Sequence, residues 1–454
     1  MSRFLLPSTP IYGHLSPMVA VGRGLVARGH TVTVLTGRRY ARLVREAGLD
    51  FWPLTAEADY DDARLQDWLP DRGRRSGVAA GRYDILNLFV RPLAAQHAAL
   101  HAALADGPYD AVVCEAAFLG VLPLLAVPRA DRIPVVGVSA TPLALTSVDA
   151  APFGSGLEPG SSAHTRRRNR FISAVLHGGP LRPVQTALAD ALTSLGAPAP
   201  DGNYFDQATR FDVTFQLAAP GIEYPRRELP PTVRFVGPLR PQPQTGLLPS
   251  SPLPPWWGDL DGNRPVVHLT QGTMANVDLS RLMVPALRGL AGTDVLVVAA
   301  TGGRPLAQLE DQLGGPLPQN ARVATFLPYD QLLPRAAAMV TNGGFGGVQQ
   351  ALAAGVPLVV AGSTEDKPEV AARVSWSGTG INLRTGTPSP QRVRRAVERL
   401  LAEADYRTAA QRLQTEIAGL GDPVEAITAS LGRLVAGSDL EPAHPRPVLE
   451  RHSH

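Results

Sequence analysis

A glycine-rich turn between two apolar segments constrains the fold of this chain more than any other feature. Residues 341–357 read TNGGFGGVQQALAAGVP, with apolar residues at 338–340 before them and at 358–361 after them. Four glycines open a helical run, which is expected to end at Gly355 because glycine suits a left-handed helix end, with Pro357 behind it. The pattern therefore predicts a strand, a glycine turn, a helix and a second strand, as in the parallel sheet of an α/β protein.

The glycine turn also suggests a ligand. Glycines at a helix start leave backbone N–H groups open to an anion, and the helix dipole adds partial positive charge there, so phosphate is the natural ligand. A tight turn without any ligand is the plainer interpretation of this geometry alone. The surrounding residues must decide between the two.

Composition limits the class of protein. The 454 residues are enough for two domains, and a net charge of +3 gives little reason to expect nucleic acid as a partner. The single cysteine, Cys114, excludes an intrachain disulfide and a cysteine-based zinc site. The apolar run at the N-terminus is too short for a signal peptide and no run could span a membrane, so a cytoplasmic protein without membrane contact is expected. Nothing in the sequence indicates an oligomeric state.

Two α/β series follow each other along the chain. The first alternates strands and helices from Arg3, with a helix expected to start at Ser16-Pro17 because serine caps helices and proline fits their first position. The second begins near Val266, after a proline-rich stretch. We predict a first domain at 1–224, an interdomain linker at 225–263, a second domain at 264–420, and a C-terminal helix with a polar tail at 421–454. Two doubly wound, Rossmann-like parallel sheets would then face each other across a cleft.

Several motifs together resemble a known family. Phe326-Leu-Pro, the TNGGFGG turn, ALAAGVPLVV and the segment 365–368 (EDKP) resemble the donor signature of family 1 nucleotide-sugar glycosyltransferases, which have the GT-B fold. The segments 12–17 (YGHLSP) and 235–238 (FVGP) resemble two further elements of that family, so the resemblance covers about residues 1 to 420. The bacterial enzymes that glycosylate antibiotics and other secondary metabolites are the most similar in pattern. The resemblance implies that the first domain binds an acceptor and the second a nucleotide sugar.

The resemblance also implies roles for single residues of the second domain. Phe326 corresponds to an aromatic residue that stacks on the nucleobase, and the backbone of Leu327 would pair with the base edge. Thr273 and the amides of Gly344, Gly346 and Gly347 would contact the diphosphate. Asp366 would hold sugar hydroxyls.

Three positions depart from the family pattern. Asn342 replaces the usual phosphate-contacting histidine, and it can donate a hydrogen bond but cannot become cationic. Gln350 replaces the usual ribose-binding glutamate, which leaves a thymidine diphosphate (dTDP) sugar open beside a UDP-sugar. Lys367, the one lysine of the chain, replaces a glutamine. It could meet a phosphate or a sugar carboxylate, or it could pair with Glu365 or Glu369.

Transfer of a sugar to a hydroxyl requires a base, and the resemblance points to His14 for this role. The start of the following helix would help to keep His14 neutral. Glu115 ends a predicted strand and would orient His14, although it is longer than the family's usual aspartate. The glycine-turn amides would stabilise the leaving diphosphate without a metal or other cofactor, and the resemblance implies inversion at the anomeric carbon. Apolar segments at 86–90, 118–122 and 142–153 suggest a hydrophobic aglycone, such as a polyketide, macrolide or flat aromatic compound.

Other interpretations stay open. The same fold could serve a nucleotide-sugar epimerase or hydrolase, or a non-catalytic partner of another transferase. The basic run Arg166–Arg170 is either a solvated helix face or a site for a membrane surface or an acidic partner. His97 and His101 lack a third metal ligand, and the DxD patterns at 59–61 and 259–261 arise easily by chance.

Overall fold

The protein contains two parallel β-sheets, described by a computed structural model that covers residues 1–240, 253–272 and 276–438. The first sheet has seven strands in the order β3-β2-β1-β4-β5-β6-β7 and the second has six in the order β10-β9-β8-β11-β12-β13. The strands of the first sheet are β1 (Arg3–Pro7), β2 (Thr31–Thr36), β3 (Asp50–Pro53), β4 (Ala111–Glu115), β5 (Val135–Ser139), β6 (Val213–Gln216) and β7 (Val233–Phe235). Those of the second are β8 (Val266–Thr270), β9 (Leu296–Ala300), β10 (Ala321–Ala324), β11 (Ala336–Thr341), β12 (Leu358–Val360) and β13 (Gly380–Asn382).

Helices cover both faces of each sheet, which explains why the central strands are buried throughout. Around the first sheet lie α1 (Tyr12–Val26), α2 (Ala41–Glu46), α3 (Leu65–Trp68), α4 (Gly77–Asp84), a π-helical segment (Ile85–Val90), α5 (Leu93–Ala105), α6 (Leu122–Leu125), α7 (Ala163–Gly178) and α8 (Arg182–Ser194). The later helices are α9 (Met283–Leu290), α10 (Leu306–Leu313), α11 (Tyr329–Leu332), α12 (Phe345–Ala353), α13 (Lys367–Trp376), α14 (Pro390–Ala402), α15 (Ala404–Gly419) and α16 (Pro423–Val435). This is the predicted α/β architecture of two doubly wound sheets.

The last helix, α16, packs against the first sheet's domain. Its Ile427 and Leu431 are fully buried in the same hydrophobic core as α1 and the first strands. The packing is tight, because a methyl group added at Gly24 of α1 would lie 2.5 Å from Val424. The chain therefore crosses twice between the two sheets.

Two predictions about elements were wrong. The first helix begins at Tyr12 instead of Ser16, because the N–H of Tyr12 donates to Asp62 Oδ2 at 2.9 Å and this distant carboxylate caps the helix. The predicted linker at 225–263 contains β7, which pairs in parallel with β6 because its alternate side chains join the first domain's core. Residues 241–252 of that linker and the polar tail at 439–454 lie outside the described residues. In the described part of the chain, no helix is long and apolar enough to cross a membrane.

Candidate active site

Each sheet has one place where the strand order reverses, and His14, Glu115, Asn342 and the glycine turn lie at these two places. In the first sheet the reversal falls between β1 and β4, and in the second between β8 and β11. At such a point the loops after neighbouring strands diverge and leave a crevice at the carboxyl edge of the sheet. His14 follows β1 and Glu115 ends β4, while Asn342 and the glycine turn follow β11.

His14 and Glu115 form a direct contact. His14 Nδ1 lies 3.0 Å from Glu115 Oε1, and 16% of the histidine side chain is exposed, against 4% of the glutamate side chain. Glu115 is held in place by two further donors, because Thr9 Oγ1 donates to its Oε2 at 3.0 Å and the N–H of Ala117 to its Oε1 at 2.8 Å. The longer glutamate thus makes the contact that the sequence left in doubt. Sequence reasoning missed Thr9, although it lies only two residues after β1.

Carboxylates near His14 oppose the tendency of a helix start to disfavour the imidazolium. Burial alone would lower the pKa of His14, but Glu115 raises it, with smaller contributions from Asp366 and Glu365, so the pKa lies above its ordinary value. For Glu115, burial would raise the pKa, but His14 and the donors from Ala117 and Thr9 lower it. For His14, which lies in the first turn of α1, the carboxylates therefore outweigh the effect of burial.

The glycine turn forms an open helix start in the second crevice. Gly343 has a φ of 89° and lies so close to Val360 that an added Cβ would be 2.8 Å from its Cγ1. At Gly344 and Gly346, by contrast, an added Cβ would meet no described atom within 4 Å. No described side chain caps α12. The N–H groups of Gly344, Gly346 and Gly347 belong to the N-cap and first turn of α12, where N–H groups have no partner within the helix, as a phosphate site requires.

Asn342 is buried beside this turn. Its Nδ2 donates to the carbonyl of Gln271 at 2.5 Å, and its Oδ1 has no partner among the described residues. The side chain of Gln271 in turn accepts the N–H groups of Leu282 and Met283 near the start of α9. Gln271, which sequence reasoning assigned no role, thus connects α9 to the crevice. Thr273, the predicted phosphate contact two residues later, lies outside the described residues.

Phe326 lies beyond the end of β10, over the turn that follows β9. A Cβ at Gly303, where φ is 93°, would lie 3.0 Å from the ring of Phe326, so the glycine makes room for the ring. Phe326 is half-buried. The Leu327 side chain is core, packed with Val266 and Leu296, which leaves its backbone for any ligand contact.

Asp366 and Lys367 begin α13, and the ionic neighbours of Lys367 are protein groups. Lys367 Nζ pairs with Glu365, whose other carboxylate oxygen lies 3.3 Å from Arg72 Nη2 of the first domain. Glu365 has a φ of 58°, which is unusual for a residue with a side chain. Burial raises the pKa of the half-buried Asp366, as does Glu365, while Lys367 and His14 lower it, with a net rise. The structure thus contains the ion pair that was one of the alternatives for Lys367.

Of the remaining predicted residues, some lie beside the candidate site and others belong to the hydrophobic core. Gln350 is half-buried on α12, whereas the next-door Gln349 is buried without a described hydrogen-bond partner. Of the apolar segments expected to bind the acceptor, Phe89 packs against His14 with ring centroids 5.7 Å apart. Val90 and Phe118 belong to the core of the first domain.

The other polar constellations have structural partners. His97 Nδ1 lies 3.1 Å from the carbonyl of Gly120, and the described residues contain no group of metal ligands. Each aspartate of the two DxD patterns pairs with an arginine: the pairs are Asp59 with Arg38, Asp61 with Arg39, Asp259 with Arg322 and Asp261 with Arg335. In the basic run, Arg166 pairs with Asp149 at 2.8 Å, while Arg167 and Arg170 are exposed.

Comparison with known proteins agrees with this arrangement. Residues 293–432 match the family model described as erythromycin biosynthesis protein CIII-like, C-terminal domain. The chain is 40% identical to 4'-demethylrebeccamycin synthase of Lentzea aerocolonigenes over 94% of this chain and 98% of that protein. It is 35% identical to UDP-glycosyltransferase 2 of Phaeomoniella chlamydospora over 95% of each. The calicheamicin glycosyltransferase CalG4 superposes with a TM-score of 0.69 at 25% identity over 95% of this chain and 99% of that one. The chain therefore belongs to the GT-B glycosyltransferases of the antibiotic and secondary-metabolite type.

Proposed function

We propose that this glycosyltransferase moves a hexosyl group from a UDP- or dTDP-sugar to a hydroxyl of a hydrophobic natural-product aglycone, with inversion at the anomeric carbon. The observation that carries the proposal is the His14–Glu115 pair at the first crevice, at 3.0 Å. Asp366 and Glu365 of the second domain contribute to the pKa of His14, so the pair lies near the predicted sugar-binding residue. The proposed base and the proposed sugar site are thus close together.

The proton transfer follows from the tautomer that Glu115 selects. With Nδ1–H donating to Glu115, the lone pair of the neutral imidazole is on Nε2, where it accepts the proton of the acceptor hydroxyl. The hydroxyl oxygen attacks the anomeric carbon while the bond from that carbon to the diphosphate oxygen breaks, and its electron pair leaves with the nucleoside diphosphate. Glu115 stabilises the imidazolium that forms. A single displacement of this kind inverts the anomeric carbon.

The leaving diphosphate would lie at the start of α12. The open N–H groups of its first turn and the helix dipole oppose the negative charge that develops there. This set of groups supplies the role that a divalent cation has in other transferases, so we propose a reaction without a metal or other cofactor. Phe326 would stack on the base, and Gln350 leaves both UDP and dTDP as candidates.

A hydrophobic acceptor is supported by the surroundings of His14. Phe89 lies against the imidazole, and the partly buried Leu86 belongs to the same apolar segment. A nucleotide-sugar epimerase or hydrolase would need further acids or bases near the sugar. Of the two acids of the second domain that act on the pKa of His14, Glu365 is already paired with Lys367 and Arg72, which leaves Asp366. Transfer to an acceptor is therefore the better supported reaction.

The donor site is tested by thermal unfolding with UDP or dTDP, each compared with ADP and NAD. A nucleotide at a hundred times its Kd stabilises the folded state by about 2.7 kcal/mol. We expect UDP or dTDP, but not ADP or NAD, to raise the Tm. Equal or absent stabilisation by all four would argue against the proposed donor.

The base is tested with His14→Ala, using His164→Ala on the exposed start of α7 as the matched histidine control. Loss of a general base lowers kcat by about 10²- to 10⁴-fold, with nucleotide stabilisation unchanged and the control fully active. A non-catalytic partner protein would instead keep stimulating a second transferase after this change. Full transfer activity in His14→Ala would contradict the assignment.

A further inference from the structure

A buried network of ion pairs connects α13 of the second domain to the loop between β5 and α7 of the first. Arg373, 1% exposed, donates through Nε to Glu223 Oε2 at 2.9 Å and through Nη1 to Glu369 Oε2 at 2.8 Å. Its Nη2 donates to the carbonyl of Leu143 at 3.0 Å, and Arg226 donates to the same carbonyl at 2.7 Å. Two carboxylates thus balance two guanidinium groups. All four side chains are buried.

The second oxygen of Glu369 holds the other end of the same loop. Its Oε1 accepts the N–H groups of Gly154 at 2.9 Å and of Gly156 at 2.8 Å. Both glycines have a positive φ, 91° and 60°, which residues with side chains rarely adopt. Alternate N–H groups that converge on one oxygen form an anion-binding nest. A Cβ at Gly156 would lie 3.6 Å from the carbonyl oxygen of Pro368, so this turn sits directly on α13.

We name residues 143–156 the acceptor loop. The contacts described above hold both ends of this loop against α13. Residues 142–153 are one of the apolar segments expected to bind the aglycone. Asp366, expected to hold the sugar, is the N-terminal cap residue of α13. Asp366 and Glu369 are three residues apart, an axial rise of about 4.5 Å in a helix. The same rigid element therefore carries the sugar contact and the loop contact.

We propose that Glu369 is a positioning residue for the acceptor, since it sets the distance of the acceptor loop from the sugar through the N–H groups of Gly154 and Gly156. The inference rests on the proposed function, because it assumes that the loop binds an aglycone and that Asp366 binds the donor sugar. Buried ion pairs add little net stability, because desolvation offsets their attraction. A geometric role therefore explains this network better than a contribution to folding does.

The test compares Glu369→Ala and Glu369→Gln with Glu398→Gln. Glu398 forms an exposed ion pair with Arg394 four residues away, so it matches the sequence spacing of the Glu369–Arg373 pair without contacting the loop. The probe acceptor is the compound that wild type glycosylates fastest in a panel of polycyclic phenols and macrolide alcohols. We expect Glu369→Ala to raise the acceptor KM at least tenfold while the Kd of UDP or dTDP stays within twofold. Glu369→Gln keeps one oxygen that can accept the N–H groups of the loop, so it should raise the acceptor KM less. Glu398→Gln should not raise it.

Hydrogen exchange gives a readout that needs no substrate. Amides in a peptide covering residues 150–160 should exchange at least tenfold faster in Glu369→Ala and, to a smaller extent, in Glu369→Gln, but not in Glu398→Gln. Gly156→Ala strains the nest without touching the carboxylate, so it should raise the same KM. The acceptor KM of the double variant, Glu369→Ala with Gly156→Ala, should then exceed that of Glu369→Ala by no more than about twofold.

Three results would overturn the inference: unchanged exchange in the loop, an unchanged acceptor KM, or effects of Glu369→Ala and Gly156→Ala that multiply independently. A purely structural role predicts a parallel loss of Tm and of nucleotide binding, which the Kd measurement detects. If wild type itself neither binds UDP or dTDP nor transfers a sugar, the proposed function fails. If wild type is active and only the loop measurements are unchanged, only the role of Glu369 fails.

Discussion

Glu115→Gln isolates the charge of the glutamate from its shape. The amide keeps an oxygen for His14 and Ala117, and the Thr9 hydroxyl can reverse its role and accept from the new NH₂ group. The histidine tautomer is therefore kept, while the negative charge 3.0 Å from Nδ1 is lost. This change tests whether Glu115 stabilises the imidazolium or merely orients the ring.

The expected magnitude follows from the distance and the burial. Coulomb's law at 3.0 Å with an effective dielectric constant of about 20 gives about 5.5 kcal/mol as an upper limit. The retained neutral hydrogen bond recovers part of this, and charge-assisted bonds are worth about 1.5–3 kcal/mol. We therefore expect kcat to fall about ten- to hundred-fold, less than in His14→Ala.

The pH dependence of kcat gives a second test of the charge of Glu115, because the direction of its shift can be predicted. Burial lowers the pKa of His14 but Glu115 raises it further, so activity, which needs the neutral ring, increases as pH rises through this elevated pKa. Without the charge of Glu115 the pKa of His14 falls, so the acidic limb of kcat should move to lower pH. The assay is product formation at saturating substrates across pH, with the exposed Glu46→Gln as control. Unchanged kcat together with an unmoved acidic limb would refute the assigned role of Glu115.

Three further changes test the donor site. Gly346→Ala places a methyl group in open space on a helix, so it should stabilise the free protein by about 0.5 kcal/mol. The same methyl group should weaken UDP or dTDP binding at least tenfold. As a control, Gly432→Ala in α16 should give the gain in stability without a loss of nucleotide binding. Unchanged nucleotide affinity in calorimetry would show that Gly346 does not contact the diphosphate. Asn342→Asp puts a buried charge beside the turn and should lower both Tm and nucleotide affinity, most strongly at low salt; equal affinity would remove Asn342 from the site. Gln350→Glu should increase the ratio of UDP affinity to dTDP affinity if Gln350 faces the ribose, and an unchanged ratio in competition titrations would show that it does not.

The glycine turn illustrates what local sequence can predict. The strand, turn, helix and strand around residues 336–360 follow from apolar runs, glycines and a terminal proline that are neighbours in the chain, so their conformational preferences act directly on each other. The parallel sheets follow in the same way from alternating strand and helix patterns. The family resemblance then singled out His14 and Glu115 as partners before any contact was visible.

The contacts that tune the site come from residues far apart in sequence. Asp62 caps α1 from 50 positions away, and this moves the helix start from Ser16 to Tyr12 and places His14 in the first turn. The rise in the pKa of His14 does not follow from local sequence, because it depends on carboxylates that the fold brings together from both domains. Pairing of Lys367 with Glu365 was one of several local options, and only the fold adds Arg72 as the third member.

Sequence patterns alone determined the class of fold and the glycine turn, because these depend on short-range periodicity and turn chemistry, whereas the family resemblance supplied the candidate site residues. Tertiary structure decided the electrostatics of His14, the partners of Asn342 and the connection of Glu369 to the acceptor loop. The physical reason is that charge interactions and hydrogen bonds depend on distances in space. Those distances are set by the order of the strands and by the packing of α13 and α16 across the two domains.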